Sequence, residues 1–456
     1  MDVTTDHRRP DSPAVMSPAP RRQPCTSQAH DAVCRPFFLS AIGIVLTAGA
    51  AWGALLLWKL GASQSFTGVT VYEVNAQDHA QFMGWVGLSI MGVSYQLFPR
   101  VWGAALPAPR LTWVALVLML MGTALRSTAM MYHGSLSAPS FQLLGIALEL
   151  AAVLLFVGHL AWARHNSPAK RTPDAAFMLT AMAFLFIQSL YSGWHTYRLM
   201  VIDHRGALLQ QIATYQAPLY DMQAHGFAVM MLFAVALRMF PVMFGLPMVP
   251  ARRAWIAWGL MLGAVVLEVA FFLMFQWTGQ HAFAGMLLLP WLMLPAAALV
   301  LVLRWGLWRR TPTPHRSAKF IRAALAWLLV SYTMLLLLPV YLAVSKLPFS
   351  HAYYGAIRHA FTVGFVSMMI VGMLTAIVQR LRGANPAELT ALWPTFILLN
   401  LGCALRVSLQ VGTDWQPWCF KLVWLSGALE WCALALWGWH MARLMLRRQG
   451  SLCLTT

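Results

Sequence analysis

The chain carries very little charge. Only 10% of its 456 residues are Asp, Glu, Lys or Arg, against roughly 25% in soluble globular domains. With 59% apolar residues and a mean hydropathy of +0.63, a water-soluble fold is excluded. Acidic residues are scarcest, 14 against 32 Lys and Arg. The basic residues are scattered through short loops between apolar runs rather than gathered in one patch, so no nucleic acid partner is expected. Six cysteines, at 25, 34, 403, 419, 432 and 453, make no CxxC or CxxCH pattern, which argues against a cysteine zinc site and covalent haem attachment. No two histidines are adjacent. Residues 1–34 lack an apolar run of signal-peptide type and are rich in Pro, Ser and Arg, which reads as a disordered tail.

What the chain has instead is apolar runs of membrane-crossing length. Twelve spans of roughly 20 residues or more are read between 37 and 446, so the expected fold is an all-α polytopic membrane protein whose principal partner is the lipid bilayer. Alternate loops carry the Lys and Arg, such as Arg252/Arg253 and Arg309/Arg310, while Asp78, Asp203 and Asp414 fall in the opposite set. The positive-inside rule then places both termini in the cytoplasm of a cell (inner) membrane protein. The 201–218 connection is expected to form an interfacial helix.

One stretch recurs. His79 to Arg100, HAQFMGWVGLSIMGVSYQLFPR, returns 280 positions later as His359 to Arg380, HAFTVGFVSMMIVGMLTAIVQR. The register continues into the next span, where Trp113, Gly122 and Arg126 face Trp393, Gly402 and Arg406. Apolar composition explains shared Leu and Ala but not shared His, Trp and Arg. A weaker copy lies 142 positions on, with Gln81, Gly84, Phe98 and Pro99 matched by Gln223, Gly226, Phe240 and Pro241. There Asp221 takes the place of the histidine and His225 follows one turn later. The reading is three pseudo-symmetric four-helix units, roughly 35–165, 175–304 and 320–446, in a transmembrane domain spanning 35–446, with 447–456 as a cytoplasmic tail.

The repeated histidines are the candidate site. Imidazole is a common metal ligand and a usual axial haem ligand, and bundles hold cofactors between facing helices. His79 and His359 are therefore read as cofactor ligands. His225 is read either as a metal ligand or as hydrogen-bonded to Asp221, and His195 as a further possible ligand. Isolated helix-end histidines such as His133, His204, His281 and His351 read as interfacial. Arg126 and Arg406 have two readings, ion pairs with Glu149 and Glu430 or anchors for anionic haem propionates. Glu268 has no sequence-local partner and could serve a proton path. Gly84, Gly92, Gly364 and Gly372 read as points of close helix packing.

CRPFFLSA (Cys34 to Ala41), His79 five residues before Gly84, HAFTVG from His359 and ALRV from Ala404 together resemble the NnrS family. The family's usual HxHE opening is replaced here at Gln77 and Ala80. The second helix is also similar to that of haem-copper oxidase main subunits, twelve-helix proteins that hold haem between their second and tenth helices. These resemblances imply haem on His79 and His359, copper as a further cofactor with His225 and His195 as metal ligands, and nitric oxide as the ligand. They also imply a link to denitrification or nitrosative stress, with a respiratory electron donor. The missing His-His pair speaks against terminal oxidase activity. The alternative reading is a proton-coupled small-molecule transporter, since intramembrane His, Glu and Arg also mark such proteins.

Overall fold

The structure is a computed structural model and describes residues 27–168, 171–306, 308, 315–382 and 390–446. Among these residues there is no strand, and twelve long helices run in sequence. They are α1 (Val33–Ser63, with the helix reaching back to Ser27), α2 (71–102), α3 (Leu111–Met131), α4 (Ala138–His165), α5 (Pro173–Val201) and α6 (Arg205–Phe244). Then follow α7 (Ala251–Thr278), α8 (His281–Trp305), α9 (Ala318–Ser345), α10 (His351–Leu381), α11 (Trp393–Gly412) and α12 (Trp418–Leu446). Eleven of them are long and apolar enough to cross a bilayer. The exception is α2, long enough but diluted by Ser89, Ser94 and Gln96, all of which are buried in protein. A helix that faces protein on every side has no need to be apolar throughout.

Three boundaries differ from the sequence reading. First, α1 begins at Ser27, inside the stretch read as tail; residues 1–26 and 447–456 lie outside the described residues. Second, α2 opens at Val71 rather than at His79. Thr70 and Glu73 form a capping box, the Thr70 hydroxyl accepting from the Glu73 amide at 3.2 Å and the Glu73 carboxylate from the Thr70 amide at 2.8 Å. That box satisfies amides which would otherwise fray. Likewise α10 opens at His351, where the Ser350 hydroxyl accepts from the Tyr353 amide at 2.8 Å. Third, the 201–218 connection is not a separate interfacial helix: from Arg205 it runs unbroken into α6, making one helix of 40 residues.

The core is built around α2, α6 and α10. The most apolar stretches of α6 and α10 are 78% and 83% buried, against 50% or less in the other spans measured, and α2 is buried without a break from Met83 to Gln96, so these three are interior helices and the rest form the shell. Sequential helices pack in pairs around them, α3 on α4, α7 on α8 and α11 on α12, and α12 returns to pack on α1. Shell faces expose Trp113, Leu143, Val266 and Leu436, as lipid-facing surfaces do.

The three central helices share an irregularity. Each is locally widened into a π-helix over eight residues, Ala80–Gly87, Met222–Val229 and Ala360–Ser367. These segments start at the same repeat positions, 80, 222 and 360, separated by the shifts of 142 and 280. π-Turns are rare and concentrate at functional sites. An apolar cavity lies farther along the same helices, between Ser89 and Val93 of α2, Met231 and Val235 of α6, and Ile370 and Met373 of α10. Val93, Val235 and Met373 match at the two shifts, so the three helices run in parallel and carry their histidines at one end.

Candidate functional site

The histidine of α2 is held by a carboxylate two helices on. Nε2 of His79 lies 2.6 Å from Oε1 of Glu149 on α4, both side chains almost fully buried. Glu149 also accepts from the Thr123 hydroxyl at 3.0 Å and from Nη1 of Arg126. Arg126 in turn donates to the hydroxyls of Ser192 at 2.8 Å and Thr196 at 3.0 Å on α5. Beside that guanidinium Glu149 is a carboxylate, so the imidazole N–H is the donor and the proton sits on Nε2. Glycine makes the contact possible. A Cβ on Gly122 would meet the Glu149 Cγ at 2.5 Å and the Gly145 carbonyl at 2.9 Å, so α3 and α4 approach closely only without it.

The arrangement recurs in the third copy. Nε2 of His359 lies 2.6 Å from Oε1 of Glu430 on α12, and a Cβ on Gly402 would meet the Glu430 Cγ at 2.7 Å. Arg406 is within the electrostatic reach of Glu430 but makes no ion pair with it, and its Nε is buried without a partner. Sequence reading left two partners open for the arginines; Arg126 takes the glutamate directly, and Arg406 faces its own without bonding.

In the middle copy the chemistry changes. Nδ1 of His225 lies 3.0 Å from Oε2 of Glu268 on α7, so its carboxylate partner is Glu268 rather than Asp221. The other oxygen of Glu268 accepts from the Trp291 indole at 3.1 Å. Ligand atoms of Asp221, His225 and Glu268 all lie within 4.8 Å of one another. His195 stands apart: its Nδ1 is 3.2 Å from Nε2 of Gln211, and its own Nε2 is buried without a partner.

Sequence reading missed the residues just before the histidines. Asp78, Tyr220 and Arg358 occupy one repeat position, since 78 + 142 = 220 and 78 + 280 = 358, and they meet in space. The Tyr220 hydroxyl donates to the Asp78 carboxylate at 2.7 Å, and the Arg358 guanidinium lies 3.8 Å from the centre of the Tyr220 ring and 4.4 Å from that of Tyr354. The signal was present in the register, but a column of Asp, Tyr and Arg has no shared chemistry until the three helices are seen to converge. The glycines read as packing points are so: a Cβ on Gly84 would strike Ile44 at 2.6 Å, and one on Gly364 would strike Trp327 at 2.6 Å.

These side chains can hold a metal or haem iron. A ligating imidazole ordinarily donates its second N–H to a carboxylate, which orients the ring and raises its basicity. His79, His225 and His359 each present that pair, and the remaining nitrogen of each makes no hydrogen bond among the described residues. Between α2 and α10, beyond the histidines, the Trp85 indole donates to the Ser367 hydroxyl at 3.1 Å and closes the gap.

Fold and site together define a polytopic helical membrane protein with three histidine–carboxylate pairs that tie its central helices to their neighbours. Residues 134–449 match the family model described as NnrS protein. The chain belongs to the NnrS family. The match takes in His359, His225 and their carboxylate partners, whereas His79 lies before it. No curated protein matches the chain.

Proposed function

We propose that this protein is a haem-binding membrane protein of nitric oxide metabolism, acting in denitrification or the response to nitrosative stress. The carrying observation is the repeated pairing of a central-helix histidine with a buried glutamate, His79 with Glu149 and His359 with Glu430, each at the start of a π-helical turn. The haem would be held by His79 and His359, and its ferrous iron would supply the site at which nitric oxide binds. The protein's part is to hold and to exclude. Glu149 and Glu430 fix the imidazoles and keep the proton on Nε2, so that Nδ1 bears the lone pair. Arg126 pairs with Glu149, and Arg126 and Arg406 supply positive charge for anionic substituents. The apolar cavity between α2, α6 and α10 suits a small uncharged gas.

The wider reading follows the repeat. We take the domain as three four-helix units around the central helices, set in the inner membrane with both termini cytoplasmic, and with a respiratory electron donor as partner. The decisive measurement is the reduced-minus-oxidised visible spectrum of detergent-purified protein from cells supplied with haem. Haem bands that shift with nitric oxide and disappear in His79→Ala and His359→Ala are expected. Absence of haem from the folded wild-type protein defeats this reading and leaves proton-coupled transport, to be measured as substrate flux in vesicles.

A further inference from the structure

The middle copy departs from the first at one pair of positions that bears on the site. At the shift of 142 that relates the first two, Arg126 becomes Glu268 and Glu149 becomes Trp291. The helices carrying them correspond as well: α3 (Leu111–Met131) shifts to 253–273 within α7, and α4 (Ala138–His165) to 280–307, which begins and ends within two residues of α8. At the shift of 280 the arginine is kept, as Arg406. Two copies therefore place a guanidinium beside the histidine's carboxylate, whereas in the middle copy the carboxylate itself stands at the arginine's position and Asp221 at the histidine's.

That substitution leaves a charge imbalance between a half-buried Asp221 and a buried Glu268. Asp221 and Glu268 stand with ligand atoms within 4.8 Å of each other and of His225, and among the described residues Asp221 has no side-chain hydrogen bond or ion pair to oppose the repulsion. Arg358 acts on Asp221 only through space, its guanidinium being stacked on Tyr220 and Tyr354. A carboxylate without a partner, set beside a second one at such depth, is costly. A second observation lies beside the same cluster. Tyr332 of α9 is 1% exposed, its ring centre is 5.9 Å from that of His225, it interacts electrostatically with Glu268, and its hydroxyl has no partner among the described residues.

We propose that Asp221, His225 and Glu268 bind a divalent metal ion, with the Tyr332 hydroxyl as a fourth donor, and that this ion supplies the positive charge given by arginine in the other two copies. Two carboxylates, one imidazole and one phenol form an oxygen-rich set, suited to Mn²⁺, Fe²⁺ or Zn²⁺ rather than to Cu(I), which prefers thiolate and thioether sulfur. The donor triangle is wider than a bound ion requires, with metal–oxygen bonds of about 2.0–2.2 Å for zinc, and the side chains close it by rotating inward. This site shares no ligand with His79 or His359, so it stands or falls separately from the haem reading.

The test is metal content by mass spectrometry of elements on the full-length protein in detergent, with haem determined in parallel so that non-haem iron is obtained by subtraction. About one non-haem ion per chain is expected in the wild type, and about tenfold less or lower in Glu268→Gln and His225→Ala. Glu149→Gln should retain it. Glu268→Gln keeps a neutral hydrogen-bonding group beside His225 and Trp291, and helical circular dichroism checks that it folds. Should the variants not fold, stripped wild type titrated with Co²⁺ gives a second readout: visible d–d bands saturating at one equivalent, with Zn²⁺ competing. Equal ion content in wild type and folded variants, or Co²⁺ that washes off without saturable bands, identifies an adventitious ion only and overturns the proposal.

Discussion

At the scale of single residues, the energetics centre on charges that only their partners make tolerable. Arg126 is 1% exposed and tied to Glu149, Ser192 and Thr196. Removing one member of such a pair leaves an uncompensated charge in a low-dielectric interior, at a cost of about 3–5 kcal/mol. Arg126→Met should therefore lower thermal stability in detergent strongly. The double variant Arg126→Met/Glu149→Met should recover much of the loss, because no buried charge is left over. Equal losses in the single and double variants, followed by unfolding fluorescence, would show that the pair is not what Arg126 is needed for. In the third copy, where Arg406 makes no ion pair with Glu430, Arg406→Met should cost less than Arg126→Met. The histidines were legible at this scale because repetition marked them; their carboxylate partners were not, since 70 residues separate His79 from Glu149 and 71 separate His359 from Glu430.

At the scale of helices, the site depends on how closely neighbouring backbones approach. Gly122 and Gly402 hold equivalent positions, and a methyl group at either would press on the glutamate that holds the histidine, at 2.5 and 2.7 Å. Gly158, on the same α4 as Glu149, has nothing within 4 Å of the corresponding Cβ. Gly122→Ala and Gly402→Ala should therefore destabilise by about 1–3 kcal/mol through overpacking. Gly158→Ala should be neutral or stabilising by up to about 1 kcal/mol, as in an ordinary helix interior. Melting temperatures of the three variants in one detergent check this, and a uniform effect would remove close packing as the cause. The helix starts belong to this scale too. Thr70 with Glu73, and Ser350, are ordinary capping residues that a hydropathy reading passes over, because the turns they open contain Tyr72, Gln77 and Asp78, or His351 and Arg358, and look like loop.

At the scale of the whole molecule, the alternation of helices fixes which connections share a side. In a cysteine-free background, Ser135→Cys between α3 and α4 and Asn166→Cys after α4 are both exposed positions separated by one span. A membrane-impermeant thiol reagent applied from outside intact spheroplasts should label Ser135→Cys and spare Asn166→Cys until the membrane is opened. The reverse pattern would invert the orientation drawn from the basic loops. The amino-acid sequence by itself determined the twelve helices, the common direction of α2, α6 and α10 and the histidines at one level, because apolar length and a repeated register are properties of the chain alone. Which groups the histidines meet was decided only by tertiary structure. The carboxylates come from other helices, and the exchange of Arg126 for Glu268 acquires chemical meaning only where α7 packs on α6 and brings Glu268 against His225, with Asp221 unpaired beside it.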